Sequence, residues 1–244
     1  MKEKKTEACK AAEERFIKRS SEISLHSDQT CRAIKKGNWQ GVADRELVDR
    51  VGLEGLTVHL EETMNQGKVL KNGSKSFVSC VMLGGIDVVI KGYRHLGSLH
   101  SLRHTLQGSR AKRSWVMADR LYRLAVPTPK PLAYLEEYRG ILRWRSYFIY
   151  EYVPGPGLYD VLRDPALKRE RKRRLIDQVV EMLRRLSEGG ISHGDLKHSN
   201  MICHGEDIFF IDLDAMRRNV GPGFVKRYRY ERDKARFFRD IRDS

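Results

Sequence analysis

The amino-acid sequence predicts an α+β protein, with a β-rich half that contains one helix followed by a mainly helical half. Apolar runs typical of strands, separated by glycine-containing turns, dominate from about residue 40 to residue 93 and return at 132–150. After residue 157 the apolar residues instead recur at the spacing of an amphipathic helix.

The composition limits the class of protein and its partners. The 244 residues include 47 Lys and Arg against 32 Asp and Glu, a net charge of +15, which favours nucleic acid, an anionic membrane face or a phosphorylated substrate. No apolar run approaches the roughly 20 residues of a membrane-spanning helix, and the charged N-terminus lacks the apolar segment of a secretory signal. The four cysteines are far apart, which argues against a disulfide framework or structural zinc. We therefore expect a cytoplasmic protein.

The first elements are an N-terminal arm and a β-hairpin. Lys, Glu, Ala and Ser dominate the start of the chain, and we assign residues 1–40 to a polar arm or helix. Two β-rich runs, 77–83 and 86–91, are joined by Gly84-Gly85. A two-residue Gly-Gly connection of this kind is typical of a tight hairpin.

A helix and a second hairpin follow. Apolar residues at helical spacing predict a helix over 109–124, and three closely spaced prolines predict an extended segment after it: Pro127, Pro129 and Pro131. Two further strand-like runs, 132–135 and 146–150, flank a polar turn around Gly140.

The remaining chain reads as a linker followed by helices. Residues 151–157 are rich in Pro and Gly and are predicted to join two lobes, one of residues 41–150 and a short one of residues 158–244. Apolar spacing predicts helices over 158–163 and 168–189, the second ending at a Gly-Gly pair.

Three segments carry residues suited to phosphoryl transfer. Asp195 and Asn200 have the D-x-x-x-x-N spacing of a kinase catalytic loop, and the apolar run 208–211 leads directly to Asp212. Lys91 ends a strand-like run, as does the kinase lysine that pairs with nucleotide phosphates. Each pattern alone is common by chance, but together and in this order they predict a two-lobed protein-kinase-like fold.

The chemistry assigns a role to each residue. Phosphoryl transfer depends on in-line positioning and on neutralising charge, so Lys91 is expected to hold the α- and β-phosphates of ATP. Asn200 and Asp212 offer oxygen atoms, the ligands that Mg²⁺ prefers. Asp195 is expected to accept the proton of the attacking hydroxyl or to orient it, and Lys197 to approach the γ-phosphate.

Further ATP contacts are expected at a loop and at the linker. The loop 71–76 has a single glycine and is either a phosphate-covering loop, acting through Gly73 and Lys75, or a plain hairpin turn. Glu151 and Val153 lie where a hinge between the lobes is predicted, and we expect them to contact the nucleotide.

These segments resemble the bacterial lipopolysaccharide kinase family, whose members use ATP and Mg²⁺ to phosphorylate Kdo or heptose sugars of the lipid A inner core. The resemblance covers about residues 66–240, and four stretches carry it: Ser109–Arg113, Val126–Leu132, His193–Asn200 and Ile211–Asp214. RIO-type and aminoglycoside-type kinases share the catalytic loop, whereas the V-P-T-P-x-P-L run points to the lipopolysaccharide branch.

The chain departs from the family pattern in the helix at 109–124. Many members carry a glutamate there that orients the strand lysine, but Ser114 occupies its place and Asp119 is the one acid of the helix. This departure admits a differently oriented Lys91, or a pseudokinase that binds nucleotide or anionic surfaces without turnover. Asp214 is the alternative magnesium ligand, two residues after Asp212.

The resemblance implies an ATP-dependent phosphotransferase that acts on an inner-core sugar; a RIO-like protein kinase or a small-molecule kinase is the alternative. The basic run 168–174 opens a helix and is expected to contact an anionic glycolipid or another phosphorylated acceptor at the cytoplasmic face of the inner membrane. The basic and aromatic segment 226–230 suits the same role, and nucleic acid is the less favoured partner.

Overall fold

In a computed structural model, which describes residues 30–93, 108–219 and 221–242, the chain is a mixed α+β protein built on a seven-stranded antiparallel sheet. The strand order is β1-β2-β6-β7-β5-β4-β3. The strands are Cys31–Lys36 (β1), Trp39–Asp44 (β2), Lys68–Asn72 (β3), Ser76–Leu83 (β4), Ile86–Tyr93 (β5), Pro131–Arg139 (β6) and Leu142–Glu151 (β7).

Both predicted hairpins are confirmed. β4 and β5 are joined by Gly84 and Gly85, whose φ angles of 60° and 79° lie in the left-handed region that a two-residue hairpin turn requires. β6 and β7 pair around Gly140, which also has a positive φ. The turn chemistry visible in the sequence therefore determines both connections.

The prediction of a single helix in the β-rich half is wrong. Two short helices, Arg45–Gly55 (α1) and Leu60–Gln66 (α2), occupy part of the stretch that was predicted as strands. The side chain of Asp44 caps α1 by accepting a hydrogen bond from the backbone N–H of Leu47. Apolar residues of both helices are buried against one face of the sheet, and this packing stabilises helices too short to persist alone.

The N-terminal boundary also differs from the prediction. The sequence assigns residues 31–40 to the arm, but this stretch contains β1, which is an edge strand of the sheet, and the start of β2, which lies between β1 and β6. The earlier part of the predicted arm, residues 1–29, lies outside the described residues.

Helices dominate the chain after the sheet, as predicted. They are Leu158–Arg163 (α4), Arg169–Glu188 (α5) and Gly223–Arg242 (α6), while Arg110–Arg123 (α3) precedes β6. Two short antiparallel pairs accompany them: Ile191–Ser192 (β8) with Arg217–Arg218 (β11), and Met201–His204 (β9) with Asp207–Phe210 (β10). The predicted helices at 109–124, 158–163 and 168–189 are thus confirmed within a residue at each end.

The alternation of side chains along β5 divides its residues between two cores. Val88 and Ile90 are buried with α1 and α2, whereas Tyr93 belongs to the core that contains α3 and the helical part of the chain. Lys91, two residues from Tyr93, shares its face of the strand. The period of two along the strand therefore directs this lysine towards α3 and the C-terminal loops. No helix among the described residues is long and apolar enough to cross a membrane.

Candidate active site

Lys91 is the centre of a buried charge cluster. Its Nζ lies 2.7 Å from Oδ1 of Asp212 and 2.9 Å from Oδ2 of Asp214, and its side chain is 8% exposed. Burial alone would lower the pKa of Lys91, but the two carboxylates outweigh it and raise that pKa. The two aspartates thus stabilise the charged form of the lysine in the pocket.

Asp212 reaches the pocket from an unusual backbone conformation. It follows β10 with φ 60° and ψ 62°, a left-handed conformation that Asp adopts more readily than most residues. Burial would raise its pKa, but the charge and hydrogen bond of Lys91 hold that pKa below its usual value. Asp212 is consequently an ionised carboxylate beside the lysine.

The V-P-T-P segment supports the strand that leads to Asp212. The hydroxyl of Thr128 donates to the carbonyl of Phe210 at 2.8 Å, and the N–H of Phe210 donates to the carbonyl of Pro127 at 2.9 Å. The hydroxyl of Tyr122, on α3, donates to the Thr128 carbonyl. These bonds join α3, the proline-rich segment and β10, and they fix the position from which Asp212 enters the pocket.

The catalytic-loop motif lies beside this strand. The side-chain amide of Asn200 donates to the backbone carbonyl of Asp195 at 2.9 Å, and the N–H of Ile211 donates to the carbonyl of Asn200 at 3.0 Å. The amide nitrogen of Asn200 is thus occupied within the loop, and its oxygen is the atom suited to a metal ion. The residues predicted to bind Mg²⁺ are on directly hydrogen-bonded segments.

Two cations accompany the carboxylate of Asp195. Nζ of Lys197 lies 3.3 Å from Oδ2, and Nη2 of Arg236 lies 2.5 Å from Oδ1. The first contact follows from the sequence motif. Arg236 is a residue of α6 that sequence reasoning missed, because nothing in its local sequence indicates proximity to the loop.

The buried carboxylate of Asp233, on α6, holds the backbone of the catalytic-loop motif. Oδ2 of Asp233 accepts from the N–H of His193 at 2.7 Å, and Oδ1 accepts from the N–H of Gly194 at 3.1 Å. Burial raises the pKa of Asp233, although the two N–H groups act in the opposite direction. Gly194 has φ 78°, and a Cβ there would lie 2.6 Å from the carbonyl oxygen of Ala215, so the loop needs glycine at this position.

His193 is a packing residue rather than a proton carrier. Its ring is fully buried, lies edge-on to Phe210 with centroids 5.1 Å apart, and has no hydrogen-bond partner at either nitrogen among the described residues. Burial lowers the pKa of His193 to about 4. The imidazole is therefore neutral at physiological pH.

Ser114 and Tyr93 both contact Asp214. The hydroxyl of Ser114 donates to Oδ1 of Asp214 at 2.9 Å, and the hydroxyl of Tyr93 donates to the same oxygen at 2.5 Å. Asp119, the other acid considered on α3, instead pairs with Arg123 at 3.0 Å on its own helix. Three donors, counting Lys91, thus converge on Asp214. Apart from the Asp-x-Asp spacing, no local pattern indicates this convergence.

The stretch 71–76 consists of the end of β3, a connection at 73–75 and the first residue of β4. The N–H of Gly73 donates to the carbonyl of Ser76, and Lys75 is exposed at the tip. Lys71, at the end of β3, is close enough to Asp212 to lower the pKa of that carboxyl, and sequence reasoning did not select it. The contact of Gly73 and Lys75 with ATP stays a prediction.

The predicted hinge is tied to the sheet at its first residues. The N–H of Glu151 donates to the backbone carbonyl of Lys130, and the N–H of Tyr152 donates to the backbone carbonyl of Asp87, each at 2.9 Å. Val153 follows in the connection between β7 and α4. The nucleotide contacts of Glu151 and Val153 stay predictions.

The basic segments lie on two helices. In the run 168–174, Arg171 and Arg174 lie 3.6 Å and 3.8 Å from carboxylate oxygens of Glu206, while Lys168 and Arg169 are exposed. The segment 226–230 belongs to the first half of α6. Arg171 and Arg174 are therefore paired within the chain, whereas Lys168 and Arg169 are open to solvent.

The donor set of the pocket fits a magnesium–nucleotide complex. No group of three or more His, Cys, Asp or Glu side chains that suits a metal occurs in the described part of the chain. Mg²⁺ in phosphoryl-transfer sites needs fewer protein ligands, because one or two side chains and the substrate phosphates hold it. Asp212 and the side-chain oxygen of Asn200 match that requirement, with Lys91 as the phosphate partner.

A buried strand lysine, an aspartate after a short strand and an H-G-D-L-K-x-x-N loop are the set of residues expected at the site of a kinase-type phosphotransferase. Residues 90–234 match the model of the lipopolysaccharide kinase (Kdo/WaaP) family, and the chain belongs to that family, as the sequence predicted. The chain is also similar to the RIO-type serine/threonine-protein kinase Rio1 of Thermoplasma acidophilum, with 27% identity over 146 residues that cover 60% of this chain and 68% of the relative. Both comparisons indicate an ATP-dependent kinase.

Proposed function

We propose that this kinase transfers the γ-phosphoryl group of ATP to a sugar hydroxyl of the lipopolysaccharide inner core, on Kdo or heptose. The observation that carries the proposal is the convergence of Lys91 and Asp212 beside the Asp195–Asn200 loop, in a chain of the lipopolysaccharide kinase family. In this proposal the sheet region is the N-terminal lobe, the helical region is the C-terminal lobe, and residues 151–157 are the hinge.

The pocket residues divide the binding of ATP and Mg²⁺ among them. Lys91 holds phosphate oxygens, and Lys71 adds a second positive charge near Asp212. Asp212 and Asn200 supply oxygen ligands for Mg²⁺. Glu151 and Val153 contact the base at the hinge. When bound, the metal neutralises charge on the phosphates, and the residues described here supply the orientation.

Asp195 acts on the acceptor. Its carboxylate accepts the proton of the attacking hydroxyl, or orients that hydroxyl in line with the transferred phosphoryl group. Lys197 lies on one side of the carboxylate and offers a positive charge to the group in transfer. Asp233 keeps the loop backbone in place through its two N–H contacts.

The charge of the chain supports an anionic acceptor. The net charge of +15 and the exposed cations at the start of α5 attract phosphorylated sugars and anionic headgroups. We therefore place the protein, within this proposal, at the cytoplasmic face of the inner membrane, where such an acceptor is made accessible.

A RIO-like protein kinase is the second candidate, and the similarity to a RIO-type serine/threonine-protein kinase favours it. Both candidates use the same ATP site and differ in the acceptor. The acceptor is therefore what the experiment must vary.

The test presents purified protein and Mg-ATP with two acceptors in parallel: inner-core oligosaccharide stripped of phosphate, and a generic protein substrate such as casein. Mass spectrometry of the products is the measurement. Addition of one phosphate to the oligosaccharide, absent with Asp195→Asn, supports the proposal. Phosphate on the protein but not on the sugar selects the second candidate and overturns the first.

A further inference from the structure

One of the two carboxylates that pair with Lys91, that of Asp214, also contacts α3, although it is not a residue of that helix. The hydroxyl of Ser114, on α3, contacts Asp214 rather than Lys91. Asp214, from the segment after β10, in turn lies 2.9 Å from Nζ of Lys91. The carboxylate beside Lys91 is thus supplied by the segment after β10, since Asp119, the acid of α3, pairs with Arg123 instead.

The two oxygens of Asp214 have separate partners. Oδ1 accepts hydrogen bonds from Tyr93 and Ser114, both of which are more than nine-tenths buried, and Oδ2 pairs with Lys91. With both oxygens engaged by three donors, the carboxylate has a fixed orientation. A carboxylate held in this way determines the position of the Lys91 ammonium group, because the carboxylate itself cannot move to follow the lysine.

Asp212 differs from Asp214 in this respect. Its Oδ1 pairs with Lys91, but no group among the described residues bonds to its Oδ2. The side chain of Asp212 is also more exposed, 30% against 20% for Asp214. Asp212 therefore retains an oxygen for another ligand, whereas Asp214 does not.

We infer that Asp214 is the positioning residue for Lys91, held by Ser114 and Tyr93, and that it takes over the task that a helix glutamate performs in related kinases. The inference rests on the proposed ATP site and adds a division of labour between the two aspartates. Asp212 binds the metal, and Asp214 orients the ammonium group of Lys91. Ser114 is then a part of the arrangement and not a sign of lost activity.

The test measures ATP affinity without any sugar or protein acceptor, so that it is independent of the acceptor's identity. Asp214→Asn keeps the volume and removes the charge, and we expect ATP to bind about 10- to 100-fold more weakly. Ser114→Ala and Tyr93→Phe are expected to give smaller losses. Asp119→Asn, a change of the same type on α3 away from the lysine, is the matched control and should leave ATP affinity unchanged.

Two further measurements separate positioning from other roles. The Mg²⁺ concentration for half-maximal ATP binding should be unchanged in Asp214→Asn, and in a Lys91→Met background the Asn substitution should have no additional effect. Thermal unfolding of each variant checks that the fold is retained.

Equal or tighter ATP binding by Asp214→Asn overturns the inference. A shifted Mg²⁺ dependence also overturns it, because Asp214 would then be a metal ligand. If Asp214→Asn still weakens ATP binding in the Lys91→Met background, the substitution does not act through Lys91. That result also overturns the inference. Failure of the wild-type protein to bind ATP would instead refute the proposed function.

Discussion

Nη2 of Arg236 lies 2.5 Å from Oδ1 of Asp195, although 41 positions separate the two residues in the chain. The contact fixes one oxygen of the carboxylate, and Lys197 faces the other. The group proposed to receive the acceptor's proton is therefore oriented by the last helix of the described chain as well as by its own loop.

The first prediction concerns catalysis. Asp195→Asn removes the proton acceptor but leaves Lys91 and Asp212 in place, so we expect kcat to fall about 10²- to 10⁴-fold with ATP affinity nearly unchanged. Steady-state turnover and equilibrium ATP binding are the measurements. Asp207→Asn, at an exposed position of β10, is the control; near-normal turnover by the Asp195 variant would remove the residue from its role.

The second prediction concerns the metal. Asp212→Ala should abolish the Mg²⁺-dependent part of ATP binding, since Oδ2 of this carboxylate has no bonding partner among the described residues. Calorimetric titration of ATP with and without Mg²⁺ measures the difference. If Asp214→Ala removed the Mg²⁺ dependence while Asp212→Ala kept it, the assignments of the two aspartates would be reversed.

The third prediction concerns stability in acid. Burial lowers the pKa of His193 to about 4, below the usual 6.5. Between these two pH values His193 is protonated in the unfolded chain but neutral in the folded chain. Stability from this group is complete above pH 6.5 and falls as the pH drops towards 4. At pH 5 the loss is about 2 kcal/mol relative to pH 7.

Urea unfolding at pH 7 and pH 5 tests this value against His193→Phe, which keeps a ring beside Phe210 and cannot be protonated. The variant should lose about 2 kcal/mol less than the wild type between the two pH values. An equal loss in both proteins would show that other groups govern the acid response.

The fourth prediction concerns the basic run on α5. Neutralising the exposed Lys168 and Arg169 to Gln should weaken binding to anionic vesicles about 30-fold at low salt, at about 1 kcal/mol for each charge. ATP affinity should not change. Co-sedimentation with vesicles over a salt series is the measurement, and Arg32→Gln with Lys35→Gln, two exposed positions on β1, is the control pair. Salt-independent binding by the wild type would refute the docking role.

Local chemistry explains which parts of the structure were predictable. The Gly84-Gly85 turn and the spacing between Asp195 and Asn200 are properties of a few consecutive residues, and each determines its own geometry. The helices α1 and α2 were missed because their short apolar segments become helical by packing on a sheet formed by distant strands.

The site residues were predictable only where a short continuous stretch of sequence identifies them. Lys91 and Asp212 are predictable because each follows a recognisable apolar run in the sequence, although β5 continues past Lys91 to Tyr93. The roles of Asp214, Asp233 and Arg236 depend on contacts between elements far apart in the chain, and their neighbours in sequence carry no signal of those contacts. Ser114 was read as a missing glutamate, since only the fold shows what its hydroxyl touches.

The anchoring of the loop by Asp233 has a consequence for how the parts of the site can come apart. The N–H groups of His193 and Gly194 bond to a side chain of α6, whereas Lys91 pairs with two aspartates that follow β10. Local opening of α6 would therefore release the loop backbone while the ion pairs of Lys91 stay in place, so we expect damage to α6 to reduce turnover more than nucleotide binding.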